Sequence, residues 1–225
     1  MTTATLTSAQ AATMLGMQSE MNARVDPNWI AAAYPYLRAV IIESAEAIEH
    51  HGWKWWKKQT CDLPQLQMEL IDIWHFLLSE LLLQQQGDQS KALQVLLQGI
   101  PSHWQNESVH FDGHEHALAK LDLLGKLELL IGTAAANRIE LVLFAAIMHD
   151  CQMDWQDVYA QYVGKNVLNF FRQDNGYKEG TYVKVWHQRE DNEHLVEIML
   201  QLDPLHPNYR QQLYTALSER YPEIL

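Results

Sequence analysis

The chain has 225 residues, 48% hydrophobic and 20% charged, which suits a soluble globular protein with a substantial core. A formal net charge of −12 argues against a nucleic-acid polymer as partner, since that asks for a basic stripe, but permits a small anionic ligand held by local lysines and a metal ion. No run of about 18 apolar residues is available for a membrane span, the N-terminus lacks signal-peptide character, and Cys61 and Cys151 fit neither a disulfide framework nor a zinc motif, so a cytoplasmic setting is expected.

Helical periodicity dominates the whole chain. A first helix is predicted from Thr7 or Ser8, with Met14, Met17 and Met21 on one stripe and Gln18 and Asn22 pointing the same way on its flank. A second is expected from Asp26 and Pro27 to His51, stopped by Gly52. A third begins around Pro64 and runs through "MELIDIWHFLLSELLLQQQ". A shorter helix near 90–99 and a polar loop over 101–116 follow, read together as a possible small helical insertion over 88–116. Apolar helices are expected over 117–134 and 137–151, and another from Asp154 to about Arg172. The segment "QDNGYKEGTYVKVW" reads as irregular, before two closing helices near 190–202 and 207–221. No linker divides the chain, so the pattern predicts one all-α domain over 1–225.

Four acids stand out on the second and third helices. Glu43 with Glu46, and Glu69 with Asp72, are i,i+3 neighbours on helices that are otherwise strongly apolar. Burying like charges together costs several kcal/mol per ion, roughly, unless a positive charge compensates. No lysine or arginine lies within a turn of Glu69 or Asp72, so a divalent cation is the expected compensation. An all-oxygen donor set favours Mg2+, with Mn2+ as the alternative. Zinc lacks its Cys/His cluster, and a di-iron site lacks its paired Glu-x-x-His motifs, Asp72-x-x-His75 being the nearest approach. His149-Asp150 alone is too little for a phosphohydrolase built on such a pair.

Three stretches, "ESAEAIEHHGWKWWK", "ELIDIWHFLLSELL" and "GKNVLNFFRQDNGYKEGTYVKVWHQREDNEHL", closely resemble the dimeric dUTPases, a branch of the all-α nucleoside triphosphate pyrophosphatases that includes MazG-type enzymes. The acid pairs alone would indicate only the superfamily, whereas the tryptophan–lysine block and the long C-terminal motif are far more specific. The resemblance implies an all-α helical bundle, a homodimer, and hydrolysis of dUTP, and also of dUDP, to dUMP. It implies that Glu43, Glu46, Glu69 and Asp72 bind magnesium, with a shifted pair Glu46/Glu49 as second choice. Glu46, or else Glu43, would accept the proton of the attacking water. Gln18 and Asn22 fall where the family contacts the pyrimidine, and Trp53 and Trp56 where it lines the nucleotide pocket. Lys54 and Lys57, beside those rings, would help to balance the triphosphate. Lys165, Asn169, Arg172, Tyr177, Lys178, Tyr182 and Lys184 match the motif that closes over the phosphates in the family.

The residues agree with that implication: Lys165, Asn169 and Arg172 share one helix face, and Gly176 and Gly180 lend the following loop freedom to close. Arg172, Lys178 and Lys184 are expected to have little to hold them before a phosphate arrives. Two other readings stand beside this one. A related pyrophosphatase would take dCTP as well, because an amide side chain presents either a donor or an acceptor. A non-enzymatic helical adaptor accounts for the helices but not for the buried acids.

Overall fold

Helix signals written locally in the sequence set out the fold, which is seen in a computed structural model describing residues 5–101 and 103–222. The two ends of the expected 1–225 domain and Ser102 of the polar loop lie outside the described residues. The described residues form ten α-helices and two very short antiparallel hairpins, an all-α fold. Helix α1 (Ser8–Val25) starts on a capping box between Thr7 and Gln10. Helix α4 (Leu63–Gln84) starts on Asp62, whose carboxylate accepts from the Gln65 amide, with Pro64 in its first turn. Helix α8 (Trp155–Asp174) starts on a second capping box, between Asp154 and Asp157.

The expected second helix is two. A single turn, α2 (Trp29–Ala32), ends at Ala33 in the left-handed region (φ 49°), and α3 (Tyr36–His51) begins after Pro35. Pro35 is the cause: it has no N–H to continue the ladder and pushes Tyr34 out of helical geometry. Asp26 does not cap a long helix: α2 follows Asn28, and the Asp26 carboxylate accepts from the Asn28 amide and from the Tyr34 hydroxyl (2.7 Å). At the other end of α3, Gly52 (φ 85°) supplies the left-handed stop.

Helices α3 and α4 form an antiparallel hairpin, closed where the Asp62 amide donates to the His50 carbonyl (2.8 Å). Helix α4 is the central element, packing against α3, α1 and α8. Its Leu66, Leu70, Ile73, Trp74, Leu77, Leu78, Leu81 and Leu82 are all buried. Trp74 stacks on Phe144 (4.6 Å) from α7 (Leu141–Asp150), and fully burying each large side chain of this kind contributes about 1.5–3 kcal/mol.

The 88–116 segment is not wholly helical. After α5 (Gln89–Gly99) come a 3-10 turn and a hairpin, β1 (Ser108–Phe111) with β2 (His114–Ala117), turning at Asp112-Gly113 with both residues at positive φ. That dipeptide is a strong hairpin signal, and Val109, 2% exposed, anchors the ribbon in the core. Helix α6 (Leu123–Ala135) starts on Asp122, and α7 starts at Leu141, both later than the periodicity suggests. A second hairpin, β3 (Val185–Trp186) with β4 (Arg189–Glu190), lies inside the segment expected to be irregular, before α9 (Asp191–Met199) and α10 (Tyr209–Arg220). No described helix is long and apolar enough to cross a membrane.

Candidate active site

Three helices each turn one face, part polar and part apolar, toward a common cavity. Gln18, Met21, Asn22 and Val25 on α1 follow the i, i+3, i+4, i+7 spacing of a single face. Asp72, His75, Phe76 and Ser79 on α4 repeat it, and α8 offers Asn169, Arg172 and Gln173. Tyr34 and Tyr36, displaced by the break at Pro35, and Tyr177 beyond α8 complete the lining. The cavity measures about 320 Å³.

The polar groups at its floor are tightly ordered. The Gln18 amide donates to Asn22 Oδ1 (3.0 Å) and to Ser79 Oγ (2.8 Å). Its carbonyl oxygen faces His75 Nδ1 (2.8 Å) and accepts from the Tyr162 hydroxyl (2.9 Å). The His75 ring stacks on Tyr162 (4.3 Å), and complete burial holds its pKa down at about 4, so it is neutral. Among the described residues, two cavity-lining groups are buried without any partner: Asn22 Nδ2 and His75 Nε2. Such atoms cost free energy unless a ligand satisfies them.

At one end of the cavity lie the carboxylates. Oxygens of Glu43, Glu69 and Asp72 come within 4.8 Å of one another. Burial, then the charges of Asp72 and Glu46, push Glu43 and Glu69 each up to about 7. Hard oxygen donors at this mutual distance, held in like-charge conflict, fit a divalent cation. Glu46 is exposed and outside the group, though near enough to raise both acids. Glu49 is turned away from them, bound to the Trp53 indole N–H (2.7 Å) and the Lys54 ammonium (2.6 Å).

The remaining residues singled out by sequence fall in three places. Asp72 is not without a basic partner, since Lys165 Nζ from α8 reaches its carboxylate at 3.0 Å. This contact between distant parts of the chain is invisible to any count of neighbours within one turn. Arg172 is likewise well held: it forks onto Asp191 through two 2.8 Å bonds, and Asp191, fully buried, also accepts from the Tyr182 hydroxyl (2.8 Å). Lys178 donates to the Val25 carbonyl and Lys184 pairs with Glu190, so Lys178, Tyr182 and Lys184 face outside the cavity lining.

Trp53, Lys54, Trp56 and Lys57 also lie outside that lining, on the loop between α3 and α4. Trp53 and Trp56 stack edge to face at 5.2 Å and remain 39% and 57% exposed. Sequence reasoning passed over His75, Ser79, Tyr34 and Tyr36. His75 and Ser79 were within reach, because both continue the helix face that starts at Asp72.

A family model described as dUTPase matches residues 10–177, which include the three clustered carboxylates and every residue of the cavity lining. No curated protein matches the chain.

Proposed function

The chain belongs to the all-α dUTPase family and is a dUTP diphosphatase, and on that premise we propose that it splits dUTP to dUMP and pyrophosphate with Mg2+ held by Glu43, Glu69 and Asp72. The observation that carries this reading is the position of Asp72. It belongs both to the carboxylate group and to the cavity wall, so a nucleotide seated by its base among Gln18, Asn22 and His75 extends its phosphates toward the acids. Bound there, the cation supplies charge neutralisation and polarises phosphate oxygens.

The protein's own groups do the rest. Glu46, outside the clustered three and solvent-exposed, takes the proton of the attacking water. Lys165, already beside Asp72, and Arg172 at the cavity wall present positive charge to the triphosphate. Tyr34, Tyr36 and Phe76 give the base and sugar an apolar enclosure. Lys54, Trp53, Trp56 and Lys57 serve the surface of a homodimer in this reading, supported by the exposed rings and by Trp55 at 88% exposure.

A screen of dUTP, dUDP, dCTP, dTTP and UTP, with Mg2+ and with excess chelator, tests the proposal. The expected product is dUMP from dUTP, and also from dUDP, only with the cation present. Turnover undiminished by chelator, or preference for a ribonucleotide, refutes it. Light scattering at micromolar concentration should report about twice the chain mass, and a strictly monomeric active protein rules the dimer out.

A further inference from the structure

Asp191 is fully buried, has no part in the reading above, and lies beyond the residues that the family model matches. An acid in the first turn of a helix is ordinarily accounted for by the helix dipole, yet this one points inward from the start of α9. The β3–β4 hairpin delivers it. His187 and Gln188 turn the chain at positive φ, Trp186 is buried and stacked on His194 (5.2 Å), and the Asp191 amide donates to the Lys184 carbonyl (3.0 Å). The carboxylate then takes the Arg172 fork on both oxygens (2.8 Å each) and accepts from the Tyr182 hydroxyl (2.8 Å).

A guanidinium carries five N–H groups in a rigid plane. On Arg172 the Nε–H and one Nη2–H go to Asp191, Nη2 also lies 3.5 Å from Asn192 Oδ1, and one Nη1–H goes to Asn169 Oδ1 (3.2 Å). One Nη1–H is left, and Arg172 lines the cavity. Asn169 must turn its oxygen to Arg172, because its NH2 there would set donor against donor, and among the described residues no other side chain competes for that oxygen. Its NH2 is left for the cavity, which Asn169 also lines. To a ligand these two residues therefore offer N–H groups only.

We propose that Asp191 is a positioning residue for the reaction: it fixes the plane of Arg172, and through Arg172 the Asn169 amide, so that both aim N–H groups at phosphate oxygens before the nucleotide arrives. The inference rests on the dUTPase reading above and adds to it the group that sets the geometry of the α8 wall. Donors held in place beforehand cost no reorganisation as charge develops on the phosphate, and that is where such contacts do most for the rate. With Asp191 at 0% exposure, withdrawing the guanidinium would strand a buried carboxylate. The wall is thus a fixed edge to which the substrate comes, not an arm that swings over it. Asp191 also offsets the charge of Arg172, leaving direction as its main contribution.

Two measurements on the full chain test this. Asp191→Asn keeps the shape, but the guanidinium loses its aim and its charge is released toward the cavity. Its kcat for dUTP should fall about 10- to 100-fold, the worth of one charge-assisted hydrogen bond, while inhibition by inorganic pyrophosphate tightens about threefold to tenfold. A residue that merely ties α9 to α8 would not produce that split, because a loosened fold binds pyrophosphate more weakly. Separately, the Arg172 Nε–H of the 15N-labelled wild-type protein, assigned through the backbone, should keep its shift and slow exchange when Mg2+ and pyrophosphate are added. Loss of that protection overturns the proposal even if the variant does not fold, as does an unchanged kcat or weaker pyrophosphate inhibition in a folded Asp191→Asn. If the wild-type protein does not hydrolyse dUTP, the dUTPase reading fails and this inference with it. Normal dUTP hydrolysis with a freed Nε–H removes the inference alone.

Discussion

Replacing Glu69 by glutamine should stabilise the metal-free protein, and by an amount that depends on pH. Glu69 has a side chain only 12% exposed and a carboxyl pushed from an ordinary 4.5 up to about 7, by burial and by the charge of Asp72. Between those two values the folded protein holds a proton that the unfolded chain has released. Stability therefore falls as the pH rises through this window, and the full cost is in place above about 7. At 1.36 kcal/mol per pKa unit the cost is roughly 3 kcal/mol, the attraction of Lys165 for the charged form being already contained in that shift. Glutamine keeps the shape and never ionises. Its melting temperature in chelator at pH 8 should exceed that of the wild type by about 4–10 °C, for a domain of this size. At pH 4.5 the gap should close. Saturating Mg2+ should narrow or invert it at pH 8, because ligand at 100 times Kd adds about 2.7 kcal/mol to a protein that binds it. Thermal scans over pH 4.5–8.5, with and without Mg2+, read all of this. Equal stability at pH 8 in chelator, or the same gain at both ends of the range, would refute the reasoning.

Loading Mg2+ at pH 6.5 should release protons from Glu43 and Glu69, read by calorimetry in two buffers of different ionisation enthalpy, with the release vanishing by pH 9. Arg172→Ala should destabilise the fold by about 3–5 kcal/mol, seen as a lower urea midpoint, because it strands the fully buried Asp191 carboxylate. Any loss of activity in that variant must be measured below its own unfolding transition. Lys165→Met should lower the stability of the metal-free protein yet tighten Mg2+ binding, since it removes the ammonium that sits against Asp72 at 3.0 Å; titration calorimetry and thermal scans should move in opposite senses.

What was legible in the sequence was what chemistry writes locally. Thr7, Asp62 and Asp154 announce their helices because a cap acts within one turn, and Glu69 with Asp72 is visible because i,i+3 neighbours share a face, whereas Glu46 turns to solvent and only Glu43 of its pair joins them. Gln18 and Asn22 read correctly as a pair pointing one way for the same reason. The break before α3 and the β1–β2 hairpin were also encoded, in Pro35 and Asp112-Gly113, but helical periodicity around Pro35 outweighed a single residue, and the polar run over 101–116 read as loop without strand alternation. Contacts between distant segments were beyond local reasoning. Nothing near Asp72 announces Lys165, and nothing near Arg172 announces Asp191, because those pairings exist only once α4, α8 and α9 have packed. The "WKWW" block shows the remaining limit: its composition states that rings and charge are present, and only the fold decides that they lie on an exposed loop outside the cavity.

The ammonium of Lys165 against Asp72 bears on the order in which this protein is assembled. In a zinc finger the metal is the folding energy, and the chain waits for it. Here the chain brings a cation of its own to the acids, on a helix that must dock in any case to complete the core. Synthesis and folding can therefore run to completion in metal-poor surroundings, with the divalent ion entering afterwards by exchange. With the proposed metal site, such a protein should survive chelation as a folded, reloadable scaffold, and metal withdrawal should silence it without committing it to aggregation or proteolysis.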